Sequence, residues 1–310
     1  MKWLPKNYLR DGKVAVLVLN YNSGNYVIKC LDSLFEMEYP YWELFIGDNK
    51  STDESFSLVR KYFQGKKLPN SLKFYELTEN PKNFGFARGV NLLIKRALER
   101  KADFILVLNP DTIHKSDFLR KLVNAARRRK ELGALSPTVK SAKNGRIWFS
   151  GGKIRWIRQK AVHDRDKLIQ PIHLTEFVPG CAMLIKKEVF ERVGLLPEDY
   201  FLYYEDTDFC LQARRKGFKT AVVRDSLVFH QESISIDSGV KLYHLVLSGL
   251  KFFKKNTPLC LKPVFWAVFW LRWLRIKVFL KLTSSEKLKV INEAFLKFKE
   301  NEVFYSNSEF

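Results

Sequence analysis

The sequence predicts an α/β protein built on a mostly parallel sheet. Apolar runs rich in branched and aromatic residues recur at 14–19, 42–47, 72–77 and 104–108, and polar turns and helical segments separate them. Continuous runs of this kind suit strands buried on both faces, and the intervening helices supply the crossovers that parallel strands need. Asn20, Asp48 and Asp111 each stand just past the end of such a run. Ligands of open α/β sheets collect at the carboxyl ends of the strands, so three strands deliver polar groups to one edge.

The elements follow in order. Residues 14–19 form the first strand, 20–25 a turn, and 26–37 an amphipathic helix. The second strand, 42–47, leads through the polar loop 49–55 to a helix at 56–63 and a third strand at 72–77. The glycine-containing loop 83–89 opens a helix at 90–100, and 104–108 is the fourth strand. Residues 141–176 are more polar, with Gly145, Gly151 and Gly152, and are expected to form loops or short strands, a flap. A helix is expected at 187–193, and another at 207–216 with Gly217 as its C-cap. Short strands are expected at 220–223 and 227–229.

Composition bounds the function. With 310 residues and 46% hydrophobic content, the chain can bury one large α/β core plus an appendage, or two domains. A formal net charge of +21 calls for a polyanionic partner: nucleic acid, an anionic membrane or a phosphorylated substrate. No RNP, KH, zinc-finger or helix-turn-helix signature accompanies it, so nucleic acid is not the expected partner. Cys30, Cys181, Cys210 and Cys260 are far apart and form no CxxC, which predicts neither zinc nor disulfides and a reducing compartment. The first residues contain no long apolar stretch of the secretory kind.

The basic excess is densest near the end, where 241–299 holds 13 Lys or Arg against Glu286 and Glu293. The run 263–271 (PVFWAVFWL) is broken soon after by Arg272, Arg275, Lys277 and Lys281. It is too short for a membrane span and fits an interfacial helix with aromatic anchors and basic groups reaching anionic headgroups. The other reading is a helix packed on the rest of the protein or on a second subunit.

Glu205, Asp206 and Asp208 fall within four residues, flanked by Tyr203-Tyr204 and Phe209. Such crowding raises the pKa of at least one acid, which suits a proton acceptor. The alternative is an acidic helix start that complements the helix dipole.

Together these segments resemble a family 2 glycosyltransferase of the GT-A fold, in the rhamnosyltransferase-like branch. The resemblance rests on Val18-Leu19-Asn20-Tyr21-Asn22, Gly47-Asp48-Asn49-Lys50-Ser51-Thr52-Asp53, and Asn83-Phe84-Gly85-Phe86-Ala87 with Asn91. It continues through Asn109-Pro110-Asp111, Gly180-Cys181-Ala182-Met183, Tyr204-Glu205-Asp206-Thr207-Asp208 and His230. The resemblance implies an inverting transfer from a dTDP- or UDP-linked sugar, in the first instance rhamnose, to a hydroxyl of a cell-envelope glycan or lipid-linked acceptor. It implies a GT-A domain over 1–240, with a nucleotide-sugar half at 13–112 and an acceptor half at 113–240. Residues 241–310 would then be a helical extension on the inner face of the plasma membrane, the enzyme being cytoplasmic and peripheral.

The same resemblance assigns roles. Asp48 would contact the base or ribose, with Asn20 beside it; an Asx-turn is the other reading of Asp48. Lys50 departs from the usual small or polar residue. Asp111 corresponds to the last acid of a motif of DxD type, binding Mg2+ or Mn2+, whose first acid is here Asn109, and His230 would be a second metal or diphosphate ligand; a turn after a strand and a structural histidine are the other readings. Asp206 would be the general base, with Glu205 orienting it and Asp208 capping the following helix. Arg88 would pair with phosphate or sugar, while Gly85, Gly89 and Gly180 would let backbone approach the donor, unless they serve turn geometry alone. The loop lacks the GxGxxG spacing of a dinucleotide site. The competing reading is a GT-A-like module that binds glycan or nucleotide without transfer, suggested by Asn109.

Overall fold

The computed structural model describes residues 12–231, 237–283 and 285–306, with side chains described to residue 300. Within them the chain forms two compact units. The first comprises 12–153, 163–198 and 205–231; the second comprises 154–162, 199–204 and 237–306.

The first unit opens with β1 (Val14–Asn20), α1 (Tyr26–Phe35), β2 (Trp42–Asp48), α2 (Ser55–Gly65) and β3 (Leu72–Glu79). Then come α3 (Phe86–Glu99), β4 (Phe104–Leu108), β5 (Thr112–His114), α4 (Phe118–Arg128) and β6 (Leu132–Ser141). The short strands β7 (Ile147–Phe149), β8 (Gly151–Arg155), β9 (Lys160–Asp164) and β10 (Ile172–Thr175) follow, with residues 154–155 of β8 and 160–162 of β9 counted in the second unit. β11 (Ala182–Lys186), α5 (Lys187–Val193), α6 (Glu205–Arg215) and β12 (Lys219–His230) complete it. Among the described residues the main sheet has ten strands in the order β10-β12-β6-β11-β4-β1-β2-β3, with β5 on β12 and β7 on β6; β8 and β9 pair separately.

Both faces of the central strands are covered, which is why they read as unbroken apolar runs. Val14, Val16 and Val18 of β1 pack with Leu44 and Ile46 of β2 against Val27, Cys30, Leu31 and Leu34 of α1 and Leu119 and Leu122 of α4. The α1 positions recur at helical spacing on one side. Ala87, Val90, Leu93, Ile94 and Ala97 of α3 are buried, and a Cβ on Gly89 would come within 2.8 Å of Leu19. Glycine there lets α3 lie close on the sheet. Each fully buried aliphatic side chain contributes roughly 1.5–3 kcal/mol.

Strand direction positions the site. β1 is parallel to β2 and β4, and β12 is parallel to β6, while β11 is antiparallel to both β4 and β6. The carboxyl ends of β1, β2, β4, β6 and β12 and the amino end of β11 therefore share one edge.

Two differences from the sequence expectation, in β12 and at Asp208, have local causes. The two short strands expected at 220–223 and 227–229 are one strand, β12, interrupted by a register shift between Val223 and Leu227. Residues 141–176 form four short strands, one of the two forms expected there. The last helix of the first unit begins at Glu205, so Asp208 lies inside its first turn instead of at the cap and accepts from Gln212 Nε2 at 3.1 Å.

The second unit is α-helical: α7 (Ser238–Asn256), α8 (Lys262–Leu282) and α9 (Glu286–Ser306). Asp237 caps α7 by accepting from Gly239 N and Val240 N. Trp156 stacks on Phe252 with ring centroids 6.1 Å apart, and Gln159 Nε2 donates to Phe265 O at 3.0 Å. Phe265, Phe269 and Ile276 form the buried side of α8, with Phe269 stacked on Phe295 of α9 at 5.2 Å. The other side leaves Trp270, Leu271, Leu274, Val278, Phe279 and Leu282 exposed, Leu271 at 67%. Among the described residues no helix is long and apolar enough to cross a membrane.

Candidate active site

The ends of β1 and β2 are locked together by a buried polar network. Asn20 Nδ2 donates to Asp48 Oδ1 at 2.7 Å, Ser55 Oγ at 2.8 Å and Ser51 Oγ at 3.2 Å. Ser51 returns its backbone N–H to Asp48 Oδ2 at 2.8 Å and its hydroxyl to Oδ1 at 2.6 Å. Asp48 thus makes an Asx-type turn, and it is 1% exposed. A carboxylate offers about four acceptor positions, and three are occupied, which leaves one on Oδ2. Asn49 N donates to Asn20 O at 2.8 Å, tying the two strand ends through the backbone as well.

The glycine loop joins this network. Asn49 Nδ2 donates to Gly85 O at 2.9 Å. Gly85 adopts φ 79° and ψ −178°, a conformation that side chains disfavour, immediately before α3. Arg88, one turn into α3, lies over the Phe84 ring at 4.4 Å and stands 4.0 Å from Glu198. Asn91 anchors the approach to Glu198, donating to Leu196 O at 2.8 Å and to Glu198 Oε1 at 2.9 Å.

The end of β4 meets the end of β12 across β5, where His230 pairs with Thr112 and Gln231 N donates to Asp111 O at 3.0 Å. This brings His230 Nε2 within 3.2 Å of Asp111 Oδ1, the His230 side chain being buried and that of Asp111 partly buried. Neither ring nitrogen of His230 makes a hydrogen bond among the described residues. A buried imidazole with that shortfall beside a carboxylate fits an oxygen- and nitrogen-ligated divalent cation. No group of three or more His, Cys, Asp or Glu with metal-binding geometry occurs among the described residues, so an ion here would have this pair alone from such side chains.

Residues 180–181 connect this end of the site to the acidic helix. Asn109 N donates to Cys181 O at 3.0 Å, and Gly180 N donates to Asp206 Oδ2 at 2.8 Å. A Cβ on Gly180 would press on Phe86 at 3.1 Å. Burial pushes the Cys181 thiol well up, and the carboxylates of Asp111 and Asp206 push it the same way, so both acids act on one residue.

Asp206 and Glu205 differ in their partners. Thr207 donates to Asp206 Oδ1 from its backbone N–H at 2.6 Å and from its hydroxyl at 3.1 Å. Burial raises Asp206, and these donors together with Gly180 N–H oppose the rise by favouring its charged form. Glu205 is raised well above the carboxylate range by burial and then by Asp206, and its Oε2 has no hydrogen-bond partner among the described residues. Burial thus disfavours charge on both acids, and the donors favour it on Asp206. Immediately upstream, Tyr203 and Tyr204 both have φ 69°, a conformation costing about 1–3 kcal/mol per residue.

Of the residues singled out from sequence, Asn20 with Asp48, Asp111 with His230, and Gly180 with Asp206 come together as pairs, while Gly85 is linked through Asn49. Arg88 is turned toward Glu198 and Phe84. Sequence reasoning gave no role to Ser55, Thr207 or Trp148. Ser51 and Ser55, three and seven residues beyond Asp48, could have been suspected as cap partners. The contact of Trp148 with His230, ring centroids 5.0 Å apart, depends on a strand pairing that no local pattern announces.

Comparison with known proteins gives the family and the fold. The family model described as Glycosyl transferase family 2 matches residues 15–194. The low-salt glycan biosynthesis hexosyltransferase Agl10 of Haloferax volcanii is 23% identical over 215 residues, 66% of this chain and 62% of that protein. This chain thus spans less than two thirds of that relative's length. The N-acetylglucosaminyl-diphospho-decaprenol L-rhamnosyltransferase of Mycobacterium tuberculosis is 24% identical over 248 residues, 72% of this chain and 77% of the relative. Among solved structures, mannosyltransferase PcManGT from Pyrobaculum calidifontis, in complex with GDP-Man and Mn2+, aligns with a TM-score of 0.56 at 20% identity. The alignment covers 91% of this chain and 74% of that one, and the shared fold is the GT-A type.

Proposed function

The chain belongs to glycosyl transferase family 2, and from that premise we propose an inverting, single-displacement transfer from a nucleoside-diphosphate sugar to a hydroxyl. The observation that supports it is geometric: Asn109 N donates to Cys181 O at 3.0 Å and Gly180 N donates to Asp206 Oδ2 at 2.8 Å, so two adjacent residues tie the segment that carries Asp111 to Asp206. The most specific version is rhamnosyl transfer from dTDP-rhamnose to a glycan or lipid-linked acceptor of the cell envelope, in line with the name of the mycobacterial relative, an L-rhamnosyltransferase. UDP-linked donors are the alternative.

In this reading the Asn20–Asp48 network receives the base or ribose at the remaining Asp48 lone pair. Asp111 and His230 hold a divalent cation, Mg2+ or Mn2+, which when bound neutralises charge on the departing diphosphate. Arg88 releases Glu198 to meet the donor. Asp206, ionised and pinned by Gly180 and Thr207, accepts the proton of the acceptor hydroxyl as its oxygen bonds to the anomeric carbon. The bond from that carbon to phosphate breaks on the opposite face, and the nucleoside diphosphate leaves with the electron pair. Glu205 stays protonated, so the acid pair carries one charge rather than two.

Thermal unfolding with dTDP, UDP, GDP and ADP, each with and without Mn2+, tests the donor site. Nucleotide at about 100 times its dissociation constant should add roughly 2.7 kcal/mol. Metal-dependent stabilisation by dTDP or UDP is expected; indifference to every nucleotide would favour the non-catalytic binding module suggested by Asn109.

We further propose that residues 1–240 act as the catalytic domain and 241–310 attach it to an anionic membrane surface on the cytoplasmic side. The exposed apolar side of α8, interleaved with Arg275, Lys277 and Lys281, supports this. Leu271→Glu with Leu274→Glu, both at exposed positions, should abolish sedimentation with phosphatidylglycerol vesicles while leaving nucleotide-induced stabilisation intact. Unchanged sedimentation would return α8 to a protein-packing role.

A further inference from the structure

The nucleotide-sugar reading leaves one charged feature without a use. A cavity of about 950 Å³ lies beside β6, β7 and β12, lined by five cationic side chains, Lys140, Arg146, Arg165, Lys167 and Arg224, against one carboxylate, Asp225. Asp225 is committed to Arg224, with contacts of 2.9 and 3.1 Å. The other four cations form no ion pair among the described residues.

The fold builds this cavity. The register shift in β12 between Val223 and Leu227 turns Arg224 and Asp225 into it, and Thr138 Oγ1 and Ser226 Oγ hold the bulge by donating to Arg224 O at 3.0 Å and Phe118 O at 2.9 Å. Arg224 N donates to Pro171 O at 3.0 Å, fixing the loop that carries Arg165 and Lys167. A tight turn, with Ser141 N donating to Arg146 O at 2.9 Å, presents Arg146.

The cavity is next to the reaction site but apart from the nucleoside end. Trp148 lines it and stands edge-on to His230 at 5.0 Å. From β6, β1 is reached only across β11 and β4, three strand spacings or roughly 14 Å away. The volume is within the range of sites for sizeable ligands, roughly 300–1,000 Å³, and exceeds the needs of a single phosphate.

Resting on the transferase reading, we propose that this cavity binds the diphosphate group of the acceptor, next to the metal-ligand pair and separate from the donor nucleotide. Cationic, mostly arginine-bearing walls around an aromatic floor suit a diphosphate that leads to a sugar or prenyl chain.

The test is calorimetry on the full chain, first saturated with dTDP or UDP and Mn2+, then titrated with farnesyl diphosphate or inorganic pyrophosphate. Farnesyl diphosphate should bind the nucleotide-loaded protein. Arg165→Glu with Lys167→Glu, both exposed positions, should weaken it about tenfold to a hundredfold by removing charge-assisted contacts. Nucleotide affinity should not change. Parallel weakening of pyrophosphate would assign recognition to the diphosphate itself. One-for-one displacement of farnesyl diphosphate by nucleotide would overturn the proposal, as would equal binding by the double variant. So would a result in which only phosphatidylglycerol vesicles respond to the substitutions, which would make the cavity a membrane contact. If the wild type binds farnesyl diphosphate but no nucleotide, the donor reading fails and the anion site stands.

Discussion

Asp206→Asn is expected to lower kcat by roughly 10²–10⁴-fold while nucleoside-diphosphate affinity stays within about twofold of wild type. Asparagine preserves shape and can still accept from Gly180 N–H, which donates to Asp206 at 2.8 Å. What it loses is the ability to take the acceptor proton. The pH profile should carry the same signature. Burial raises Asp206, so the acid limb of kcat/KM should lie above the ordinary aspartate range, with the rate lost as pH falls through it. Thr207→Val removes a hydroxyl donor 3.1 Å from Oδ1, which had favoured the charged form. That limb should therefore move to still higher pH, a shift that a purely structural role for Thr207 would not produce. Wild-type turnover by Asp206→Asn would remove the base assignment.

The second large effect is expected at the leaving-group end. Asp111→Asn should erase the Mn2+-dependent part of nucleotide stabilisation and reduce turnover by at least about 10²-fold, since a bound cation supplies several kcal/mol of charge stabilisation. The motivation is the pair itself, Asp111 Oδ1 and His230 Nε2 at 3.2 Å, with both nitrogens of the buried imidazole short of hydrogen-bond partners among the described residues. With Asn109 in place of a second acid, the protein contributes little to hold an ion alone. Metal affinity should therefore be weak without nucleotide and strong with it. His230→Gln should retain part of the response. Metal-dependent stabilisation that survives in Asp111→Asn, measured by the same unfolding series, would contradict this assignment.

What was legible in the sequence follows from burial. β1, β2 and β4 have helices over both faces, and their runs announce themselves without interruption. The polar groups behind them, Asn20, Asp48 and Asp111, stand out because the contrast is sharp. β6 was hidden: its sequence LGALSPTVKS contains Pro137 and Gly133, which argue against a central strand. Gly133 has its reason in close packing, for a Cβ there would meet Phe218 and Val189 at 2.8 Å. α4 carries its signal in Phe118, Leu119, Leu122, Val123 and Ala126 at helical spacing. Arg224-Asp225-Ser226 looked like a break between two strands because a bulge and a turn share the same polar residues. The contact between Gly180 and Asp206 depends on how β11 is laid antiparallel to β4, information that resides in pairing and not in local pattern.

The most direct measurement is sugar transfer itself. The full chain would be incubated with Mn2+, radiolabelled dTDP-rhamnose or UDP-linked sugars, and a bacterial membrane lipid extract as acceptor, with Asp206→Asn in parallel. Label moving into the organic phase with the wild type, and not with the variant, is the predicted result. No transfer from any donor, by a protein that nucleotide demonstrably stabilises and in an extract that supports a control transferase, would contradict the enzyme reading and leave a glycan- or nucleotide-binding module in its place.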